Sequence, residues 1–489
     1  MACVHVLVGQ CGNQLGAHFL TALTDEARRC SDEDYASQIS ADHFRPAPTQ
    51  KGIRRGGVSN GNSGHHDEPP LPRSVMIDME PKVVESVVTG VNDGGAFQVR
   101  AEQCVTRDEG SGNNWAFGYY EQGRSRCDEI VESLRRQSEA RGAAHSFHIV
   151  HSVAGGTGSG VGCLVSDAIR VEFPRALLLH TAVWPFATGE VVTQWYNCVL
   201  AMSALRESAD AVFVAHNDDF DVSARPLQKA VNGRTSEVSF DTINHEIGRL
   251  LLDLHLPKKL YPVPSTAPEK KPHPQSTFPA SRTTSSTGAM ASLRCGGLTD
   301  VVEAVALDPA LKFFSGLALP VTPPDNRVVA PEATSWYPLL CEASRRTSEL
   351  FVPAPSGDNN TSNNLSTAFI EQRPLLWSLR GPAACSEGLA HLREVLSRST
   401  PTPDGRELYV PPSALLLHEE RLLGRRAHVS VFGPTHNIGL RLASALERAE
   451  DLLRVSAYVH HFSRYGVGEE ELRDAVVRMW DTAAAYGAA

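Results

Sequence analysis

The sequence predicts an α/β fold organised on a parallel sheet, and three observations carry that expectation. Two apolar runs, Val4–Val8 and Phe147-His148-Ile149-Val150, each lead into a glycine-rich turn and then a helical stretch. Strand, turn and helix in that order form the repeating unit of parallel sheets. Further along, Phe240, Ile243, Ile247, Leu250, Leu251 and Leu254 recur at helical spacing on one face. At 489 residues the chain is long enough for two or three domains and a large core.

The glycine turns carry the chemistry. The run His151-Ser152-Val153-Ala154-Gly155-Gly156-Thr157-Gly158-Ser159-Gly160-Val161-Gly162 separates the second strand from a helix expected over Val161–Ile169. Glycines let the backbone close on an anion, convergent N–H groups donate to it, and the helix dipole favours negative charge. Thr157 and Ser159 are expected to add hydroxyl donors. The run is neither a Walker A loop, since no Gly-Lys-Ser/Thr occurs in the chain, nor a dinucleotide fingerprint, since Val161 stands where its third glycine is required. The earlier turn, Gly9-Gln10-Cys11-Gly12-Asn13-Gln14-Leu15-Gly16, is a second unit able to set Gln10 and Cys11 beside a diphosphate. Taken alone, Cys11 reads as a small core residue.

Bulk composition narrows the class. A formal net charge of -10 argues against a nucleic-acid binder. Met1-Ala2-Cys3-Val4-His5 has no basic flank, and no apolar run approaches a membrane span. The ten cysteines form no C-x-x-C pair. The expectation is a soluble intracellular protein with reduced thiols.

Taken in order, residues from about 37 to 72 lose periodicity and read as an exposed loop; His65-His66 within it fits a solvated tract better than a metal site. Ser74–Pro81 restores a strand ending in Asp78-Met79-Glu80, with two carboxylates pointing to one side, suited to Mg²⁺ held through its waters. Gly110-Ser111-Gly112-Asn113-Asn114-Trp115-Ala116-Phe117-Gly118 is a further glycine loop, followed by a polar helix from Cys127 to about Arg141. His145, His148 and His151 have a spacing that invites a metal, but on a strand His148 and His151 face opposite sides, and they read as ordinary strand histidines. A strand is expected over Arg175–Ala182. Leu256 to about Ser292 is rich in Pro, Ser and Thr, reads as a disordered insertion, and is followed in the stretch 298–305 by a short helix starting near Thr299. Leu311 to about Phe432 alternates strands and short helices, with a polar loop at Ser356–Asn364. Asn437–Phe462 and Glu469–Tyr486 are long helical stretches, the latter with an apolar seam at Leu472, Val476, Met479, Ala483 and Tyr486.

These motifs together resemble the tubulin/FtsZ superfamily of GTP-binding polymer proteins. Gly155-Gly156-Thr157-Gly158-Ser159-Gly160 is similar to the signature loop, Gly9–Gly16 to the first nucleotide loop, Asp78-Met79-Glu80-Pro81 to the D-x-E-P element, and Gly110–Gly118 to a phosphate loop. The resemblance implies a Rossmann-like parallel-sheet GTP-binding domain over 1–239, a core helix over 240–254, a low-complexity insertion over 255–292, an intermediate α+β domain over 293–436 and a C-terminal helical hairpin over 437–489.

It also implies GTP or GDP held by Gln10, Cys11, Gln14, Asn113, Ser152, Ala154, Gly155, Gly156, Thr157 and Gly158, with Mg²⁺ near Asp78 and Glu80. Gln194 stands where most tubulins hold the ribose with a glutamate, and it keeps hydrogen bonding without the charge. Asn217, Phe240 and Asn244 stand at the base pocket, Phe240 to stack and Asn244 to pair the base edge; read alone, Phe240 is equally a core residue. Asp300 occupies the position of an acid offered to a neighbouring subunit's nucleotide, with Glu303 one turn later, so GTPase activity would be completed in trans. Asp300 reads as well as a structural acid at a helix N-terminus. Within the family, Trp184-Pro185, Gly189-Glu190-Val191, Gln194, Tyr196-Asn197 and Ala457–Gly466 are similar to the delta branch, with the epsilon branch second. The partners implied are other tubulins (alpha/beta or epsilon) and the microtubules of the centriole or basal body, with no nucleic acid and no membrane.

Overall fold

The computed structural model describes residues 2–45, 69–139, 145–189, 191–221, 238–261, 295–306, 308–321, 335–351, 375–397, 400–401, 407–408 and 414–488. The chain begins with β1 (Cys3–Val8), buried at every position, which runs directly into α1 (Gly9–Arg29). Next come α2 (Glu33–His43), the short antiparallel pair β2 (Phe44–Arg45) and β3 (Leu71–Pro72), β4 (Ser74–Asp78), α3 (Pro81–Gly94) and β5 (Cys104–Thr106). Irregular helical turns over 115–126 lead to α4 (Cys127–Glu139). The nucleotide-type units continue with β6 (Ser146–Ser152), α5 (Gly162–Glu172), β7 (Leu177–Trp184), α6 (Gln194–Ser208) and β8 (Ala211–His216). The long α7 (Phe240–His255) follows.

Strands β5, β4, β1, β6, β7 and β8 are mutually parallel neighbours in that order. Chain order reverses between β1 and β6, so the loops after these two strands open side by side at a switch point, where α/β sheets bind ligands. The second half adds β9 (Lys258–Tyr261), β10 (Cys295–Gly296), α8 (Leu298–Val305), β11 (Phe313–Leu319), α9 (Trp336–Phe351), β12 (Leu376–Arg380) and α10 (Leu389–Ser397). A small pair, β13 (Thr400–Pro401) and β14 (Glu407–Leu408), precedes β15 (Ala414–His418) and β16 (His428–Gly433). β11 pairs in parallel with β8 and antiparallel with β16, joining both halves in one twelve-stranded sheet. The chain closes with α11 (His436–Arg454), α12 (Val459–Ser463) and α13 (Glu469–Ala485).

Period-two alternation sorts the strand side chains onto two faces. Leu7, Met76, Val150, Leu179, Val183 and Phe213 pack under α1 and α7, whereas Val6, Ile77 and Ile149 meet α4 and α5. Val212 and Val214 meet α6, α11 and α13. The α13 seam is as expected: Leu472, Val476, Met479, Ala483 and Tyr486 are all buried. Among the described residues no helix is long and apolar enough to cross a membrane.

Several expected boundaries move. The loop expected from residue 37 begins later, because α2 runs to His43, capped by the Asp32 carboxylate and anchored by buried Tyr35 and Ile39. Phe44–Arg45 then pairs with Leu71–Pro72; His65-His66 lies outside the described residues. The insertion expected from 255 likewise starts after β9, which pairs with β15; its remainder and the Ser356–Asn364 loop lie outside the described residues. The helix expected over Asn437–Phe462 is broken at 455–458, where Ser456 and Tyr458 take left-handed backbone angles with φ of 48° and 61°. The helix expected to start at Val161 is preceded by a wider helical turn over Thr157–Val161.

Helix α7 also carries a buried ion pair. Arg249 Nη1 donates to both carboxylate oxygens of Glu246 at 2.9 Å, and its Nη2 donates to the Pro320 carbonyl at 2.8 Å. Burial alone would raise the Glu246 pKa; Arg249, His245 and Arg425 outweigh it and hold it below the ordinary glutamate value. The pair therefore contributes stability that is complete above the unfolded pKa of about 4.3 and is lost as pH falls through the folded value. Arg249→Met strands a buried carboxylate and is expected to cost about 3–5 kcal/mol in denaturant unfolding at pH 7. Adding Glu246→Leu should recover most of that loss and flatten the pH dependence below about pH 4.5.

Candidate nucleotide-binding site

Backbone packing at the switch point explains the glycines. Gly9, at φ 73°, turns β1 into α1, and a Cβ there would stand 3.0 Å from the Gly158 nitrogen. A Cβ on Gly156 would lie 2.6 Å from the Ser111 carbonyl oxygen and 2.7 Å from the Asn114 nitrogen. The loops 9–12, 110–114 and 154–159 thus touch backbone to backbone, a distance only glycine permits. Val8, at the N-cap of α1, makes no side-chain capping bond, and a helix N-terminus favours an anion. Gln10 is exposed and Cys11 half-buried on this first turn. Gln14 lies one turn on, at the edge of a cleft of about 530 Å³ that also involves His18, Ser86, His245 and Arg425.

Hydroxyls and amides fasten the loops from behind. Ser111 and Thr157 share a hydrogen bond of 2.9 Å, and the Ser152 hydroxyl accepts from the Ala154 N–H at 3.2 Å. Ser159 departs from expectation: it is buried and donates to the Gly155 carbonyl, so it supports the loop from inside instead of presenting a donor. His151, 2.9 Å from the Gly158 carbonyl through Nδ1, braces the same turn, while its Nε2 meets His180 Nδ1 at 3.0 Å. Asn113 is exposed, takes a left-handed φ of 50°, and brings its side-chain oxygen beside Gly155.

The sequence reading gave no role to Asn197, although it lies in the Tyr196-Asn197 pair. Fully buried, it donates to the carbonyls of Asn113 at 2.8 Å and Ala154 at 2.7 Å, and accepts from the Trp115 N–H at 2.9 Å. Asn13 is a second unassigned support, donating to the carbonyls of Gly9 and Ile77. A buried carboxamide in a glycine-loop protein is the signal both share: it has three or four bonds to satisfy and only backbone to satisfy them with.

Asp78 and Glu80 stand at the β4 end of the same row. The Asp78 carboxyl is buried and accepts from the Glu80 N–H at 3.3 Å, and burial pushes its pKa up to about 6. Its Oδ2 has no hydrogen-bond partner among the described residues, an orphaned acceptor that fits a metal-bound water. Glu80 is exposed and its Oε1 lies over Gly110, against the phosphate loops.

On the other flank, Asn217 follows β8 and Asn244 lies one turn into α7; each is 8% exposed. Phe240 leaves the apolar face it was grouped with: Ile243, Ile247, Leu250, Leu251 and Leu254 are buried, but Phe240 is 54% exposed and edge-on to Phe186 at 5.9 Å. Its ring is available for stacking. Gln194 is buried at the start of α6, its Oε1 accepting from the Val191 N–H at 3.3 Å, beneath Gly189. Asp218 and Asp219 accept from the two arms of Arg441 at 2.7 and 2.6 Å, tying this end to α11. Asp300 lies apart, on α8, where its carboxylate accepts from the Gly297 N–H at 2.8 Å; Glu303 is exposed on the next turn.

Two substitutions test this assembly. Asn197→Ala removes three hydrogen bonds and leaves buried backbone groups unpaired, with an expected loss of about 2–4 kcal/mol in unfolding. Nucleotide affinity, measured with a fluorescent diphosphate, should fall with it. Gly156→Ala forces the two phosphate loops apart and is expected to abolish binding while the circular dichroism spectrum stays native.

Comparison with known proteins agrees with this geometry. Residues 2–223 match the Tubulin/FtsZ family, GTPase domain. The tubulin delta chain of Homo sapiens is 31% identical over 257 residues, 51% of this chain and 52% of the relative. The delta chain of Canis lupus familiaris is 32% identical over the same shares, and the tubulin beta chain of Pyropia yezoensis is 33% identical over 216 residues, 44% of each. The matched region thus spans about half the length of these curated relatives. Loop placement and sequence likeness converge: residues 2–223 match a tubulin/FtsZ-family GTPase domain, and over about half its length the chain is similar to a divergent, delta-like tubulin.

Proposed function

We propose that the protein is a delta-tubulin-like GTP-binding cytoskeletal protein that supports the triplet microtubules of centrioles and basal bodies, and hence cilia and flagella. The observation that carries the nucleotide reading is the convergence of α1's uncapped N-terminus with the loops 110–114 and 154–159, flanked by Asn217, exposed Phe240 and Asn244. In this reading the diphosphate of GTP or GDP lies on Gln10, Cys11, Gln14, Asn113, Ser152 and Ala154–Gly158. The carboxamides of Asn217 and Asn244 face the guanine and Phe240 covers it. Gln194, buried behind the ribose position, acts by holding Gly189 and Val191 in place. Mg²⁺ is held through waters by Asp78 and Glu80, and it screens phosphate charge when bound.

The place in the cell follows from the delta-like resemblance: a cytoskeletal protein of the cytoplasm, at centrioles or basal bodies, with other tubulins as partners. Hydrolysis is completed in trans, with Asp300 or Glu303 of one subunit approaching the nucleotide of the next. One observation favours a second reading, a non-polymerising module that keeps GTP as a structural ligand: the Asp300 carboxylate is engaged by the Gly297 N–H of its own helix. The two readings separate on turnover. GTP hydrolysis that rises steeply with protein concentration supports assembly; bound GTP that persists unhydrolysed in concentrated protein supports the module.

Two measurements test the proposal. Asn244→Leu is expected to reduce the preference for GTP over ATP by about 10- to 100-fold, the roughly 1–3 kcal/mol of a two-point base-edge contact. Unchanged discrimination would remove Asn244 from the base pocket. Depletion in a ciliated cell, followed by electron tomography of basal bodies, should reduce triplet blades to doublets while cytoplasmic microtubules persist. Intact triplets would sink the centriolar assignment.

A further inference from the structure

Away from the nucleotide loops, four histidines from four elements meet in the interior: His43 at the end of α2, His5 on β1, His148 on β6 and His255 at the end of α7. Alternation along the strands sends His148 to this face and His151 to the other, as its spacing requires. The convergence occurs across strands, invisible to any spacing within one.

We propose that His5, His148 and His255 form a buried structural site for a borderline transition-metal ion such as Zn²⁺, with His43 and Thr181 orienting two of the ligands. One ring nitrogen from each of the three lies within 4.8 Å of the other two. His5 Nδ1 and His148 Nδ1 are 3.3 Å apart, close to the roughly 3.4 Å edge of a tetrahedron with Zn–N bonds of about 2.0–2.1 Å.

The hydrogen bonds are compatible with the tautomers this requires. His5 Nε2 lies 3.0 Å from His43 Nδ1 and His148 Nε2 lies 2.8 Å from Thr181 Oγ1, so each ligand can donate through Nε2 and turn its Nδ1 lone pair to the shared centre. Outer partners of this kind set ring orientation in metal sites. Without an ion, the two Nδ1 atoms must share a proton, and that still leaves His255. Both of its ring nitrogens are buried with no hydrogen-bond partner among the described residues, although the residue is only 6% exposed. Its ring is packed against His148 at 4.5 Å and His5 at 5.2 Å. An imidazole without a hydrogen-bond partner, packed against two others with a nitrogen within 4.8 Å of theirs, is placed as a third ligand.

Burial keeps His5, His148 and His255 neutral, the form that ligates. An all-nitrogen set passes over Mg²⁺ and Ca²⁺, which require oxygen, so this site does not compete with the nucleotide's cation. It joins the strands that feed both glycine loops to the last turn of α7. Since the site is enclosed, the ion is acquired as the chain folds.

The full-length protein, refolded with and without Zn²⁺ and then desalted, should retain one equivalent only when Zn²⁺ was present, with a raised melting temperature. His255→Leu, apolar and of similar reach, should lower Zn²⁺ affinity at least 100-fold, and His43→Leu about 10- to 100-fold. X-ray absorption at the zinc edge of the wild-type protein should give nitrogen neighbours without sulfur, a readout that needs no variant to fold. A histidine hydrogen-bond network alone would be indicated by no retained zinc, by retention unchanged in His255→Leu, or by sulfur in the spectrum; any of these overturns the site.

Discussion

The Asn197 carboxamide uses both of its Nδ2 hydrogens and its oxygen on backbone, holding the Asn113 and Ala154 carbonyls and the Trp115 N–H within 2.9 Å. Those backbone atoms belong to two separate loops, one following β5 and one following β6. No other side chain has donors and acceptor at this spacing in so small a volume: aspartate lacks the donors, and glutamine would overreach by a methylene. Thr193, one turn earlier, adds a hydroxyl bond to the same Asn113 carbonyl at 3.0 Å. The distance between the phosphate loops is therefore set from α6, a helix buried on nearly all sides, before any ligand arrives. Preorganisation of this kind lets an anion bind without first ordering its donors.

Glycine is the other half of the constraint. The loops approach so closely that a Cβ on Gly12 would lie 2.1 Å from the Val150 carbonyl oxygen, and one on Gly160 2.3 Å from that of Trp115. Close packing of backbones would strand their polar groups, and the remedy is local: His151 on the Gly158 carbonyl, Ser159 on Gly155, Asn13 on Gly9. The small residues admit the contact; the buried polar residues satisfy it.

This division explains what the sequence disclosed. The glycine runs and the strands before them were legible because steric need writes itself in consecutive residues, and the α7 and α13 seams because burial follows the helical period. Phe240 could not be sorted by period alone: it fits the apolar face in register, yet as the first residue of α7 it is 54% exposed. Ser159 reads as a ligand donor from composition, but the wide turn over Thr157–Val161 rotates it inward. Asn197 and the His5–His148–His255 cluster stayed hidden for a different reason. Their partners lie far apart along the chain, and a single sequence carries no record of such pairings. The loop start placed near residue 37 was a compositional misreading, since Asp32, Tyr35 and Ile39 cap and bury a helix that polar residues otherwise dominate.

The same polar supports connect the nucleotide loops to the C-terminal helices. Asn114, in the phosphate loop, donates to the His461 carbonyl at 2.9 Å, and the Tyr196 hydroxyl, beside Asn197, donates to the Ala457 carbonyl at 3.1 Å. Ala457 lies in the break between α11 and α12, where Ser456 and Tyr458 adopt left-handed angles, and His461 lies in α12 just after it. On the base flank, Arg441 of α11 grips Asp218 and Asp219 immediately after Asn217. Burial would raise Asp219, but His216 and Arg441 outweigh it and hold the carboxyl below its ordinary value. A change in loop position at either end of the nucleotide would have to break these bonds or carry α11 and α12 along. By linkage the relation runs both ways: whatever docks on the α11–α13 surface and favours one helix position must alter nucleotide affinity by the same factor. The helix break is thus the place where hydrogen bonds from the phosphate loop and from α6 reach the C-terminal helices.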